Sequence, residues 1–111
     1  MNKDDDSSAS SEAYLDISVG GDEARRVVIE LAAAALPKTV ENFRLLCQEK
    51  EEGYESTKLY KIEKTVGLCL GDVVLNDGTG GKCHPKVGTP DSPFSFEDEG
   101  FFVSHTGPGI V

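Results

Sequence analysis

The side chains able to carry chemistry are few and scattered. Cys47, Cys69 and Cys83 lie far apart, His84 follows Cys83, and His105 stands near the C-terminal residue. A zinc site draws on ligand pairs such as CxxC or HxxxH, where two donors share one turn. Neither spacing occurs, so no metal and no cofactor is expected. Cys69 would need a neighbouring base to act as a nucleophile, and none can be identified. The stretch Asn76-Asp77-Gly78-Thr79-Gly80-Gly81-Lys82 invites comparison with a phosphate cradle. That reading fails, because Asn76 stands where such a loop needs glycine and Cys83, not Ser or Thr, follows the lysine. Gly78, Thr79 and Gly80 read more simply as a structural turn. Asp4-Asp5-Asp6 are carboxylates that no fold positions, which makes them a solvated tail rather than a cation site.

Bulk properties narrow the classes further. The 111 residues include 11 basic and 20 acidic side chains, a formal charge of -9. A surface of that sign repels phosphate backbones, and the basic residues do not cluster, so nucleic acid is not an expected partner. No apolar run approaches the roughly 18 residues of a membrane span, so no membrane partner is expected. The opening Met1-Asn2-Lys3-Asp4 lacks the apolar core of a secretory signal. Three cysteines at wide spacing make no disulfide framework. A cytoplasmic location is the expectation, with the nucleus second.

The elements that must position any site follow from periodicity. Residues 1–12 are mostly Asp and Ser and are expected to be a disordered acidic tail, with one domain over residues 13–111. Leu15, Ile17 and Val19 alternate with Asp16 and Ser18, the period of a half-buried strand. Gly20-Gly21-Asp22 is turn chemistry, and Val27-Val28-Ile29-Glu30-Leu31 completes a hairpin. Pro37 suits the first turn of a helix. Val40, Phe43, Leu46 and Cys47 then recur at helical spacing to about Gln48, before Gly53. Leu59 to Leu70 predicts one or two strands broken near Lys64-Thr65. Residues 83–95, with Pro85, Pro90 and Pro93, predict an irregular surface loop.

Four motifs resemble one family. Pro37-Lys38-Thr39-Val40-Glu41-Asn42-Phe43-Arg44-Leu45-Leu46-Cys47 is similar to the "PKTxENFxxLC" helix of cyclophilins. The hairpin before it, Gly71-Asp72 with Asp77 to Lys82, and Phe96-Glu97-Asp98-Glu99 with His105 to Val111 match further segments in the same order. The resemblance implies a mainly β fold with one or two helices, a cyclophilin-like antiparallel β-barrel. The barrel is expected to be incomplete, since residues 13–111 cover only the N-terminal part of such a domain.

It also implies peptidyl-prolyl cis-trans isomerisation of X-Pro bonds in polypeptides, an activity that assists protein folding. In the family an arginine donates a hydrogen bond to the prolyl nitrogen, and Lys61 takes its place here. Val66 and Gly67 stand for the apolar walls of the proline pocket, and Cys69 for a glutamine that fixes the peptide. Gly78, Thr79 and Gly80 match a loop lining a neighbouring pocket. Lysine lacks the planar fork of arginine, so the exchange is not conservative. Weak or lost activity is therefore expected. The alternative is a non-catalytic cyclophilin-like interaction module.

Overall fold

Two hairpins and one helix organise the chain, and each begins from a local signal. The computed structural model describes residues 12–101, 104 and 106–111. Strand β1 (Glu12–Ile17) pairs antiparallel with β2 (Arg25–Glu30), in a register that sets Leu15 opposite Val27 and Asp16 opposite Arg26. Gly20 and Gly21 turn the chain, both at positive φ (61° and 82°). The Arg26 guanidinium grips Asp16 through two hydrogen bonds of 2.9 and 3.1 Å. It also lies 3.7 Å from the centre of the Tyr14 ring. A one-residue slip would move Arg26 to the other face and break both contacts, so this cluster pins the register. Ala13, Leu15 and Ile17 lie half-buried on one face, and β1 packs against the helix.

Helix α1 spans Pro37–Gln48, the range its periodicity predicts. Leu36 at its N-cap has no capping side chain. The carboxylate of Glu99 substitutes, accepting the backbone N–H groups of Lys38 and Thr39 at 2.8 Å each. A carboxylate there satisfies orphan donors and complements the positive end of the helix dipole. Burial tends to raise the Glu99 carboxyl, but the N–H groups of Thr39 and Lys38 outweigh it and hold it below the ordinary value. Leu45 and Leu46 are the helix's buried residues. Leu45 lies outside the apolar set read from spacing, and it packs with Cys83, Val87 and the half-buried Phe96.

That core corrects one expectation. Residues 83–95 are irregular as predicted, but they are not purely a surface loop: Cys83, His84 and Val87 are buried. The reason is anchoring to α1. Asn42 Oδ1 accepts the His84 backbone N–H at 2.7 Å, and His84 Nε2 lies 3.2 Å from Glu49 Oε1. His84 Nδ1 accepts the Lys86 N–H at 3.1 Å, so the ring proton sits on Nε2 and donates to Glu49. The far end closes back through the Cys83 N–H to the Phe94 carbonyl at 3.0 Å.

A 3-10 turn, Tyr54–Ser56, packs against α1, with the Tyr54 and Phe43 rings 5.4 Å apart. Burial, with a smaller contribution from the neighbouring Cys47 thiol, pushes the Tyr54 phenol up to about 12. The raised value means the fold favours the neutral phenol. That stabilisation is complete below the free tyrosine value of about 10 and is lost as pH climbs towards 12. Ultraviolet titration should show a late phenolate step near pH 12 that Tyr54→Phe removes; a step at the free value would contradict the packing.

Strand β3 (Lys61–Glu63) pairs antiparallel with β4 (Gly67–Cys69). The four strands thus form two separate two-stranded sheets, not a barrel. Closure requires every strand edge to find a neighbour, and among the described residues each strand pairs only with its hairpin partner. The incomplete barrel of the sequence reading is, among the described residues, two open hairpins beside one helix. Asp4 to Asp6, Phe102, Val103 and His105 lie outside the described residues.

Candidate functional site

The β3–β4 hairpin carries Lys61, the residue marked for catalysis. Its register opposes Lys61 to Cys69, Ile62 to Leu68 and Glu63 to Gly67. Side chains alternate along a strand, so Lys61, Glu63, Gly67 and Cys69 share one face. Two of the residues singled out from sequence, 61 and 69, are therefore direct cross-strand neighbours. Lys61 Nζ lies 3.0 Å from Glu63 Oε1, and both side chains are about half exposed. The opposite face is apolar and open: Ile62 is 64% exposed and Leu68 50%.

The other two hairpin residues fit a pocket wall poorly. Val66 caps the turn, its N–H bonded to the Glu63 carbonyl at 3.1 Å, and its side chain is 80% exposed. Gly67 has φ 137°, a region in which residues with a Cβ are strained. A methionine there would require a different turn, so the missing wall reflects the backbone path as well as the side chain.

Gly78, Thr79 and Gly80 are held by a residue that the sequence reading treated only as part of a match. Asp72 is 5% exposed and sits inside the loop that follows it. Its Oδ1 accepts the N–H groups of Val74 at 3.0 Å and Leu75 at 2.9 Å. Its Oδ2 accepts those of Asp77 at 3.3 Å, Gly78 at 2.9 Å and Gly80 at 2.9 Å. The Leu75 N–H leads in holding this carboxyl well below the usual carboxylate range; burial opposes it, and Gly80, Val74 and Gly78 reinforce it. Asp77 fastens Thr79 in turn, accepting from its N–H at 2.8 Å and its hydroxyl at 2.6 Å. The signal in the sequence was an acid followed by a run of residues with no strand or helix to use their N–H groups.

This loop meets the hairpin through Tyr60 and Lys58. A Cβ on Gly78 would fall 2.6 Å from the Tyr60 ring, so only glycine lets the ring lie against the loop. The Tyr60 N–H extends the β3–β4 ladder to the Cys69 carbonyl at 3.0 Å. Asn76 Oδ1 accepts the Lys58 N–H at 2.6 Å. The structure thus joins Lys61 and Cys69 directly, and ties Gly78 to them through Tyr60. Among the described residues no three His, Cys, Asp or Glu side chains converge as a metal site would need.

A strand carrying a cation thus stands beside an Asp-organised glycine loop, preceded in the chain by a proline-started helix. The model of the cyclophilin type peptidyl-prolyl cis-trans isomerase/CLD family matches residues 14–111, and the chain belongs to that family. Among curated proteins, the peptidyl-prolyl cis-trans isomerase CYP22 of Arabidopsis thaliana is 38% identical over 104 residues. The match covers 88% of this chain and 49% of that relative, so the chain spans about half the relative's length. No helix among the described residues is long and apolar enough to cross a membrane.

Proposed function

We propose that the chain is a cyclophilin-type peptidyl-prolyl isomerase of weak activity, acting on X-Pro bonds in polypeptides through the Lys61 face of the β3–β4 hairpin. The observation that carries this is the direct opposition of an exposed Lys61 and Cys69, beside the loop of Gly78, Thr79 and Gly80. Rotation about a peptide bond faces a barrier of roughly 18–20 kcal/mol, set by amide resonance. A donor that bonds the prolyl nitrogen as it pyramidalises stabilises only the twisted state, and so accelerates rotation without covalent chemistry. The Lys61 ammonium has three N–H donors, and Glu63 occupies one side of it. Val66 and Gly67 supply little of a proline pocket, which accounts for weak binding of the ring and argues against cyclosporin as a ligand.

The test is a protease-coupled isomerisation assay on the folded chain. Lys61→Ala should lower kcat/KM about tenfold or more, the worth of one charged hydrogen bond. Lys61→Arg should raise it, because the planar fork suits a fixed acceptor better. Equal rates for all three proteins would remove Lys61 from the mechanism.

A non-catalytic peptide-binding module is the second reading. The observation favouring it is the exposure of Val66, which leaves the ring of a bound proline without an apolar wall. A folded chain that binds proline peptides in calorimetry without accelerating their isomerisation would establish it. We assign the chain to the cytoplasm, or the nucleus, on its widely spaced free thiols at Cys47, Cys69 and Cys83. Imaging of a tagged chain in a secretory compartment would refute that.

A further inference from the structure

Glu63 is the one acidic side chain on the Lys61 face of the hairpin, and its position gives that face a second recognition element. Oε1 engages the Lys61 ammonium at 3.0 Å, while the side chain as a whole is 43% exposed. A carboxylate has two oxygens and about four acceptor sites, so pairing with one ammonium leaves capacity for another cation. Its cross-strand neighbour is Gly67, which has no side chain to shield it. Among the described residues its ion-pair partner is Lys61. The net charge of -9 adds a long-range attraction for cationic peptides, strongest at low ionic strength.

We propose that Glu63 is a subsite for a basic side chain flanking the proline, so that the preferred substrates are polypeptides with Lys or Arg next to the X-Pro bond. The inference rests on reading the Lys61 face as the substrate face. Glu63 then bridges two cations, the enzyme's ammonium and the substrate's. An acidic flanking residue at the same place would meet the Glu63 carboxylate and be disfavoured.

Three matched peptides test this, with Lys, Ala or Glu adjacent to the proline. Each is assayed for kcat/KM and titrated by NMR chemical-shift perturbation. The Lys peptide is expected to exceed the Glu peptide by about fivefold at low salt, a gap in keeping with one partly exposed charge pair. That ratio should shrink towards one in 0.5 M salt, which we choose to screen exposed pairs. Glu63→Gln should bring the ratio close to one, and Glu63→Lys should invert it; because ratios are compared, a change in overall activity cancels. Turnover with no dependence on the flanking charge would overturn the subsite and leave the isomerase reading intact. Preferential binding of the Lys peptide without turnover would uphold the subsite and remove the catalytic reading. A preference that survives Glu63→Gln unchanged would assign it to the overall charge and overturn the role of Glu63.

Discussion

Asp72→Asn is expected to loosen the whole segment from Val74 to Gly80, although the change replaces one oxygen by a nitrogen of the same size. Five backbone N–H groups converge on the Asp72 carboxylate, two on Oδ1 and three on Oδ2. An amide keeps one acceptor and turns the other into a donor, so at least two of these N–H groups lose their partner and face a like group. With no strand or helix to take up those donors, the cost is the loss of charge-assisted hydrogen bonds to a buried carboxylate, offset in part by water at the exposed N–H groups. The melting temperature should fall by on the order of 10 °C. Amide exchange at Gly78 and Gly80 should accelerate well beyond the global change. Protected amides there in Asp72→Asn would mean the loop holds itself by other contacts.

The same carboxylate predicts a pH dependence of definite sign. Its folded value lies well below the usual range, led by the Leu75 N–H. A depressed carboxyl stabilises the fold above its unfolded value of about 4, and that stabilisation is lost only as pH falls towards the folded value. The stability gap between the native chain and Asp72→Asn should therefore stay constant from pH 8 to about 5, then narrow in strong acid. A gap that widened on acidification would contradict the assignment.

Gly53→Ala is expected to be strongly destabilising although it adds a single methyl group. After α1 ends at Gln48, the segment turns back so tightly that Gly53 lies beneath the last helical turn. A Cβ there would overlap the Leu46 carbonyl oxygen, and would sit 2.6 Å from the Glu49 carbonyl oxygen and 2.7 Å from the Glu49 Cβ. The two oxygens belong to backbone, which cannot swing away as a side-chain tip would. Its φ of -114° is open to any residue, so the penalty is steric and not conformational. Overpacking of this kind costs about 3 kcal/mol, a large share of the roughly 5–15 kcal/mol by which a domain is stable. Gly21→Ala is the control: its φ is 82° but nothing lies within 4 Å, so about 1–2 kcal/mol is expected. Denaturant melts of the two variants should separate clearly, and similar midpoints would show that the turn relaxes freely.

Much of the fold was legible in local patterns. Alternation from Leu15 to Ile17 placed β1, although Val19, read into the same strand, lies beyond its end and is exposed. Pro37 and the helical spacing after it placed the start of α1 and its approximate end at Gln48. The break at Lys64-Thr65 correctly divided β3 from β4. Such signals persist because backbone geometry and a single buried face act within one turn or one strand. The motifs were equally local, which is why they sufficed for the family; Lys61, Val66, Gly67, Cys69, Gly78, Thr79 and Gly80 are candidates that the same motifs nominate.

Tertiary structure decided what joins distant parts of the chain. Glu99 caps α1 from 61 residues beyond Lys38, and His84 reaches Glu49 across 35. No periodicity encodes such pairs, since they depend on the path taken by the segments between. Asp72 illustrates the limit: its type was visible and its match to a motif was noted. That five N–H groups would close on it followed only from the loop's folding around the charge. The pairing of Lys61 with Cys69 likewise required the register, which a shift of one residue would have reversed. Chemical identity was written locally; the meeting of those residues on one face was set by which strand edges found each other.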